Sequence, residues 1–281
     1  MPLTNQIDVG RRANWKYLTG LGRALAGASM FSLPLLMTIE MWWLGFYLEP
    51  QQLLQFAIVN FLVLIGLSSV SGFESTKSWG DDVMDAFAAY GVAVIWSASI
   101  LWVLGVIAAD QPAHEIIGKV VLQAVPASFG AMLAGKQLGT KERDPRAERD
   151  RASYWGQLFL MLAGALFLGF SVAPTEEMIL ISFQMGALHA VLLMLVSFAA
   201  LHAIVYTLGF KGEERPPGQT SFWNLFLRYT IVGYAIAVLV ALYLLWTFGR
   251  LAGTDEAQIA SMVTVLAFPG ALGAAMARLV V

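Results

Sequence analysis

Eight stretches of this chain are long and apolar enough to cross a bilayer as helices, and that feature constrains the fold more than any motif does. A hydrocarbon core of about 30 Å needs about 20 consecutive apolar residues in a helix. Windows of this kind run over residues 18–47, 53–73, 85–108, 116–134, 154–173, 178–210, 226–248 and 257–280, the sixth being helical over its second two-thirds. Charged residues make up 13% and hydrophobic residues 58% of the chain, against roughly 25% charge in a soluble domain. The expected fold is an all-α polytopic membrane protein with eight transmembrane helices. Arg11, Arg12 and Lys16 before the first window resemble a signal-peptide n-region. The apolar stretch behind them is too long and has no clear small-residue cleavage site, so a retained helix is expected.

Charge distribution orients these helices. With the amino terminus in the cytoplasm, 15 of the 17 Lys and Arg residues lie on the inner side and only Lys119 and Arg250 on the outer. The positive-inside bias therefore places both termini in the cytoplasm and requires an even helix count. A net charge of −2 without a large basic block argues against nucleic acid as a partner. The chain has no cysteine, which removes disulfides, thiolate nucleophiles and Cys-ligated zinc.

An internal duplication is visible by eye. Leu25-Ala26-Gly27-Ala28 aligns with Leu162-Ala163-Gly164-Ala165, and the same offset of 137 pairs Thr38 with Thr175, Glu40 with Glu177 and Phe61 with Phe198. Further on, Leu101-Trp102 and Gly105 match Leu245-Trp246 and Gly249, while Pro126, Gly130 and Ala134 match Pro269, Gly273 and Ala277. Apolar helices resemble one another by chance, but a shared Glu and a shared Pro are costly in hydrocarbon and coincide less easily. The expected organisation is two parallel four-helix repeats, 1–135 and 153–281. They are joined by a charged cytoplasmic linker, 136–152, whose alternating signs and Pro145 read as a solvated tether. Four helices per unit means that both units enter from the same side, related by a pseudo-two-fold along the membrane normal.

Glu40 and Glu177 are the candidate ion- or proton-binding residues, each two positions after a threonine, Thr38 or Thr175. An intramembrane carboxylate faces a polar cavity or a partner, and two at one depth can hold a cation or share a proton. The competing readings are that both are wetted at the headgroups, where Pro174-Thr175-Glu176-Glu177 caps a helix, or that one pairs with Lys119. Pro34, Pro126 and Pro269 are candidate helix hinges or pore-lining positions, with ordinary packing against small residues as the alternative. Asp81, Asp82 and Asp85 form a weak hard-oxygen metal candidate, although acidic residues at a helix amino terminus are favoured by the macrodipole in any case. His189 and His202 lie on different faces about 20 Å apart and cannot share a metal, and His114 stands alone. No hydrolase, phosphate-loop or dinucleotide fingerprint is present, so neither an enzyme nor a cofactor is expected.

The segments MTIEMWW (37–43), FESTKSWGDD (73–82) and AVPASFGAMLAG (124–135) carry a resemblance over essentially the full length. The chain resembles an uncharacterised bacterial family of integral membrane proteins, a domain of unknown function with eight predicted transmembrane helices. The resemblance implies a multi-pass protein of the bacterial inner (plasma) membrane, with the lipid bilayer as surroundings and a small single-span membrane protein as partner. It brings no substrate and no residue roles. The leading expectation is a cation- or proton-handling secondary transporter or channel. The rival is a non-transporting scaffold or assembly protein that binds the small partner.

Overall fold

The computed structural model describes residues 3–71, 79–137, 153–208, 223 and 226–280. The linker 138–152 and the Glu74–Lys77 turn lie outside these residues. Among the described residues ten α-helices follow in order: α1 Leu3–Leu36, α2 Ile39–Tyr47, α3 Pro50–Ser71, α4 Trp79–Val103, α5 Ala113–Gln137, α6 Tyr154–Val172, α7 Glu176–Gln184, α8 Ala187–Leu208, α9 Val232–Thr247 and α10 Glu256–Val280. A π-helical turn, Phe226–Ile231, leads into α9. No strand occurs among the described residues. Among the described residues seven spans are long and apolar enough to cross a membrane alone, and an eighth arises if the bent pair α1–α2 counts as one.

That bent pair corrects the expectation of a single helix over 18–47. α1 and α2 meet at 85°. The break falls at Thr38, which is extended at φ −96° and ψ 130° and starts α2, and α1 continues past Pro34 to Leu36. Proline lacks a donor and crowds the carbonyl four residues earlier, yet it does not by itself end the helix here. The sixth window is likewise interrupted, into the short α7 and the long α8. The third begins six residues earlier than expected, at Trp79.

Two close helix pairs dominate the packing, α1 on α5 and α6 on α10. Gly27 of α1 sits on the carbonyl oxygen of Gly130 in α5, and Gly130 on that of Gly27, with the Ala134 methyl alongside. Gly164 of α6 and Gly273 of α10 meet in the same reciprocal way, beside the Ala277 methyl. A methyl group at any of the four would overlap backbone, so these contacts need glycine. Small residues let helix backbones touch, which gains dispersion contacts where no hydrophobic effect drives association in lipid. α4 and α9 end alike. Gly105 (φ 70°) and Gly249 (φ 69°) close Schellman turns, with Val106 N donating to Leu101 O at 2.9 Å and Arg250 N to Leu245 O at 2.8 Å.

Contact between the first five helices and the last five is made by rings. Phe31 meets Phe167 edge-on at 4.7 Å, Phe56 meets Phe170 at 5.3 Å and Phe248 at 5.7 Å, and Phe129 meets Phe170 at 5.7 Å. Edge-to-face pairs of this kind add to the area they bury. Phe159 of α6 completes the seam by lying against Gly66 of α3.

Candidate functional site

The helix break is the first place where function-bearing residues gather. Ending α1 at Leu36 leaves its last carbonyls without helical partners, and side chains satisfy them. Leu35 O accepts from Thr38 Oγ1 at 2.7 Å and from Gln123 Nε2 of α5 at 3.3 Å, and Leu36 O accepts from Trp42 Nε1 at 2.7 Å. One turn below, Trp96 Nε1 of α4 donates to Ser32 Oγ at 3.2 Å. Gln123 is fully buried, and its Oε1 has no hydrogen-bond partner. Thr175 repeats the bond of Thr38, donating to Val172 O at 2.8 Å from the residue that starts α7. Neither threonine caps its own short helix with its side chain.

Glu40 occupies the first turn of α2 and Glu177 that of α7, where the helix macrodipole favours an anion. Glu40 is half-buried and Glu177 is exposed beside Glu176. α2 rests on α5, where Gly45 lies against the backbone of Gly118 and Lys119. α7 rests on α10, held by Gln258 Nε2 donating to Ser182 Oγ at 2.7 Å. Each carboxylate therefore belongs to its own set of helices. The two basic residues at this end are both engaged with backbone: Lys119 Nζ donates to Val106 O at 3.2 Å, and Arg250 Nη2 to Pro174 O at 2.9 Å. Pro126 and Pro269 lie within α5 and α10, which run through them without a break.

Halfway along the spans, Asn60 of α3 donates from Nδ2 to Ser128 Oγ of α5 at 3.1 Å, and its Oδ1 is buried without a partner. Tyr90 of α4 also keeps a buried hydroxyl without one. In the second group of helices, Ser197 Oγ donates to Leu193 O at 2.7 Å, and Tyr234 is buried. Ser197 lies 137 positions after Asn60, and Tyr234 lies 144 after Tyr90. The sequence reading, which searched for charge, passed over them. A lone amide or phenol inside an apolar window was the available signal, since such groups are expensive in hydrocarbon.

At the opposite end from α2, Ser68 Oγ of α3 lies 3.3 Å from Asp82 Oδ1 and 3.3 Å from Asp85 Oδ2. Asp82 is buried and Asp81 is exposed. Among the described residues no three His, Asp or Glu side chains come together in a group that could hold a metal. The histidines are dispersed: His114 and His189 are exposed, and His202 Nδ1 is 2.7 Å from Thr230 Oγ1 of the π turn.

A cleft of about 200 Å³ opens at the ring-lined seam. Leu67, Phe129 and Leu160 are buried within it, while Phe31, Phe167 and Met276 stand at its more exposed side. Every side chain lining it is apolar.

No curated protein and no solved structure matches the chain. A family model does match, over residues 20–281, and its description, putative integral membrane protein (DUF2391), agrees with the seven or eight apolar spans. A match of that extent means that the chain belongs to this family of integral membrane proteins.

Proposed function

We propose that the molecule is a non-transporting membrane scaffold or assembly protein, built from two parallel four-helix units over residues 1–135 and 153–281. Matched features support the two units: the reciprocal glycine contacts, the glycine-closed ends of α4 and α9, and the same threonine bond before α2 and α7. The observation that carries the scaffold reading is the seam between them. It is packed with phenylalanine rings, and its cleft offers a cation no side-chain oxygen. Moving an ion through such surroundings costs several kcal/mol or more. α8 is the least enclosed span, with 17% of its window buried against 28% or more in the other six, and it leaves Leu188, Leu192, Leu195 and Val196 exposed. A single-span partner helix would pack there.

A second reading, a cation- or proton-handling transporter or channel, is favoured by the carboxylate on the first turn of each short helix, Glu40 and Glu177, each placed two residues after its threonine. Proteoliposomes decide between the two. The scaffold reading expects no flux above protein-free vesicles under H⁺, Na⁺, K⁺ or Ca²⁺ gradients. Flux in the wild type that disappears in the Glu40→Gln/Glu177→Gln double variant would overturn it and establish the transporter. An enzymatic role forms no part of the proposal.

A further inference from the structure

We infer that copies of this chain associate head to tail in the bilayer, the flank formed by α1 and the end of α4 in one copy packing on α8 of the next. The inference rests on the two-unit reading and on the way the two units meet. Phe56 of α3 touches Phe170 of α6 and Phe248 at the end of α9, and Gln52 Nε2 of α3 donates to Trp246 O of α9 at 3.4 Å. Offsets of 137 and 144 carry these residues to counterparts in the other unit: Phe56 to Leu193, Gln52 to His189, Phe170 to Leu33, Phe248 to Leu104 and Trp246 to Trp102. A two-fold relation would bring the counterparts together inside the chain as well. Leu33 is instead 40% exposed and Leu104 46%, where Phe170 and Phe248 are 3% and 4% exposed. Leu193 is half-buried where Phe56 is buried, and His189 is exposed. The first unit therefore offers α3, and the second offers α6 and α9 in return. Such a contact is heterologous, and it leaves each unit with the other half of the same contact unused.

The two unused halves fit each other. On α8 stand the counterparts of the α3 residues in the seam, and on α1 and α4 stand the counterparts of the groups that α3 receives. A second copy in the same membrane orientation brings its Leu33 and Leu104 to Leu193, and its Trp102 O to His189. Local geometry agrees: Trp102 O and Trp246 O each accept from the glycine three residues on, Gly105 or Gly249, at 3.0 Å. A neutral imidazole has one N–H to give in place of the Gln52 amide. Repeated about the membrane normal, the step closes into a ring. At about 100° per residue, His189 and Leu193 lie roughly a third of a turn round α8 from Leu188, Leu192 and Leu195, which remain open to a single-span partner.

The test crosslinks the full-length protein in native membranes, where the absence of native cysteine leaves only introduced ones to react. With a short bismaleimide, the double variant His189→Cys/Trp102→Cys is expected to give covalent dimers and higher multiples. Each single variant stays monomeric, and the two singles co-expressed give a dimer. Leu193→Cys/Leu33→Cys is expected to behave in the same way and serves if the first pair accumulates poorly. His189→Cys/Trp43→Cys, with Trp43 exposed on α2 outside the contact, should remain monomeric. The internal pair Gln52→Cys/Trp246→Cys should crosslink within one chain, read as a joined peptide by mass spectrometry of the monomer band. An internal crosslink with no multimers from either intermolecular pair overturns the inference and leaves the two-unit reading standing. Loss of the internal crosslink overturns that reading and the inference with it. Dimers from a single variant mark a symmetric contact, equal yield from the Trp43 control marks collision, and either result overturns the head-to-tail association.

Discussion

Gly27 and Gly164 each rest on the carbonyl oxygen of a glycine in a neighbouring helix, whereas Gly22 and Gly91 have open space where a methyl would go. Gly27→Ala and Gly164→Ala are therefore expected to push two helices apart, at about 1–3 kcal/mol each as overpacking. Gly22→Ala and Gly91→Ala avoid that clash and gain helix propensity. Thermal unfolding in detergent checks this: both of the first pair should melt below wild type and neither of the second. Their partners Gly130 and Gly273 were legible in the sequence as small-residue faces, whereas Gly27 and Gly164 stood out only as matched positions of the apparent duplication. Gln123 and Asn60 were not legible. What gives an amide its role is the atom opposite, Leu35 O or Ser128 Oγ, and those partners lie on helices distant in the chain.

At the scale of the element, the break between α1 and α2 is held open by side chains that replace lost helical bonds. Trp42 is one of these, donating to Leu36 O at 2.7 Å, while its neighbour Trp43 is 57% exposed. Trp42→Phe should lower stability by about 0.5–1.5 kcal/mol, the net value of one hydrogen bond. Trp43→Phe, compared in the same chemical denaturation series, should lie within experimental error of wild type. Equal effects would show that the indole bond does not hold the break. A window of 30 residues, 18–47, would make a straight helix of about 45 Å, well beyond a hydrocarbon core, so an interruption could have been anticipated from length. Its position was harder to read. Pro34 attracts attention as a breaker, yet the chain turns at Thr38, where a hydroxyl competes for the backbone carbonyl.

Across the whole molecule, the membrane class was plain from apolar windows and sparse charge, because the bilayer imposes both on any helix that crosses it. How the helices meet was not, since the Phe31–Phe167 and Phe56–Phe170 contacts join residues more than a hundred positions apart. Orientation is open to a direct check, helped by the absence of native cysteine. Single cysteines at Glu49, Asp110 and Glu256 should react with a membrane-impermeant maleimide in intact cells. Cysteines at Lys141 and Arg215 should react only after permeabilisation. The reverse pattern would place both termini outside. The 85° bend bears on bilayer thickness as well. α1 ends at Leu36, and α2 turns sideways there at 85° instead of prolonging it. A thicker membrane cannot be met by lengthening α1 past Leu36, so hydrophobic mismatch at that end would be absorbed by local thinning or tilt around α1.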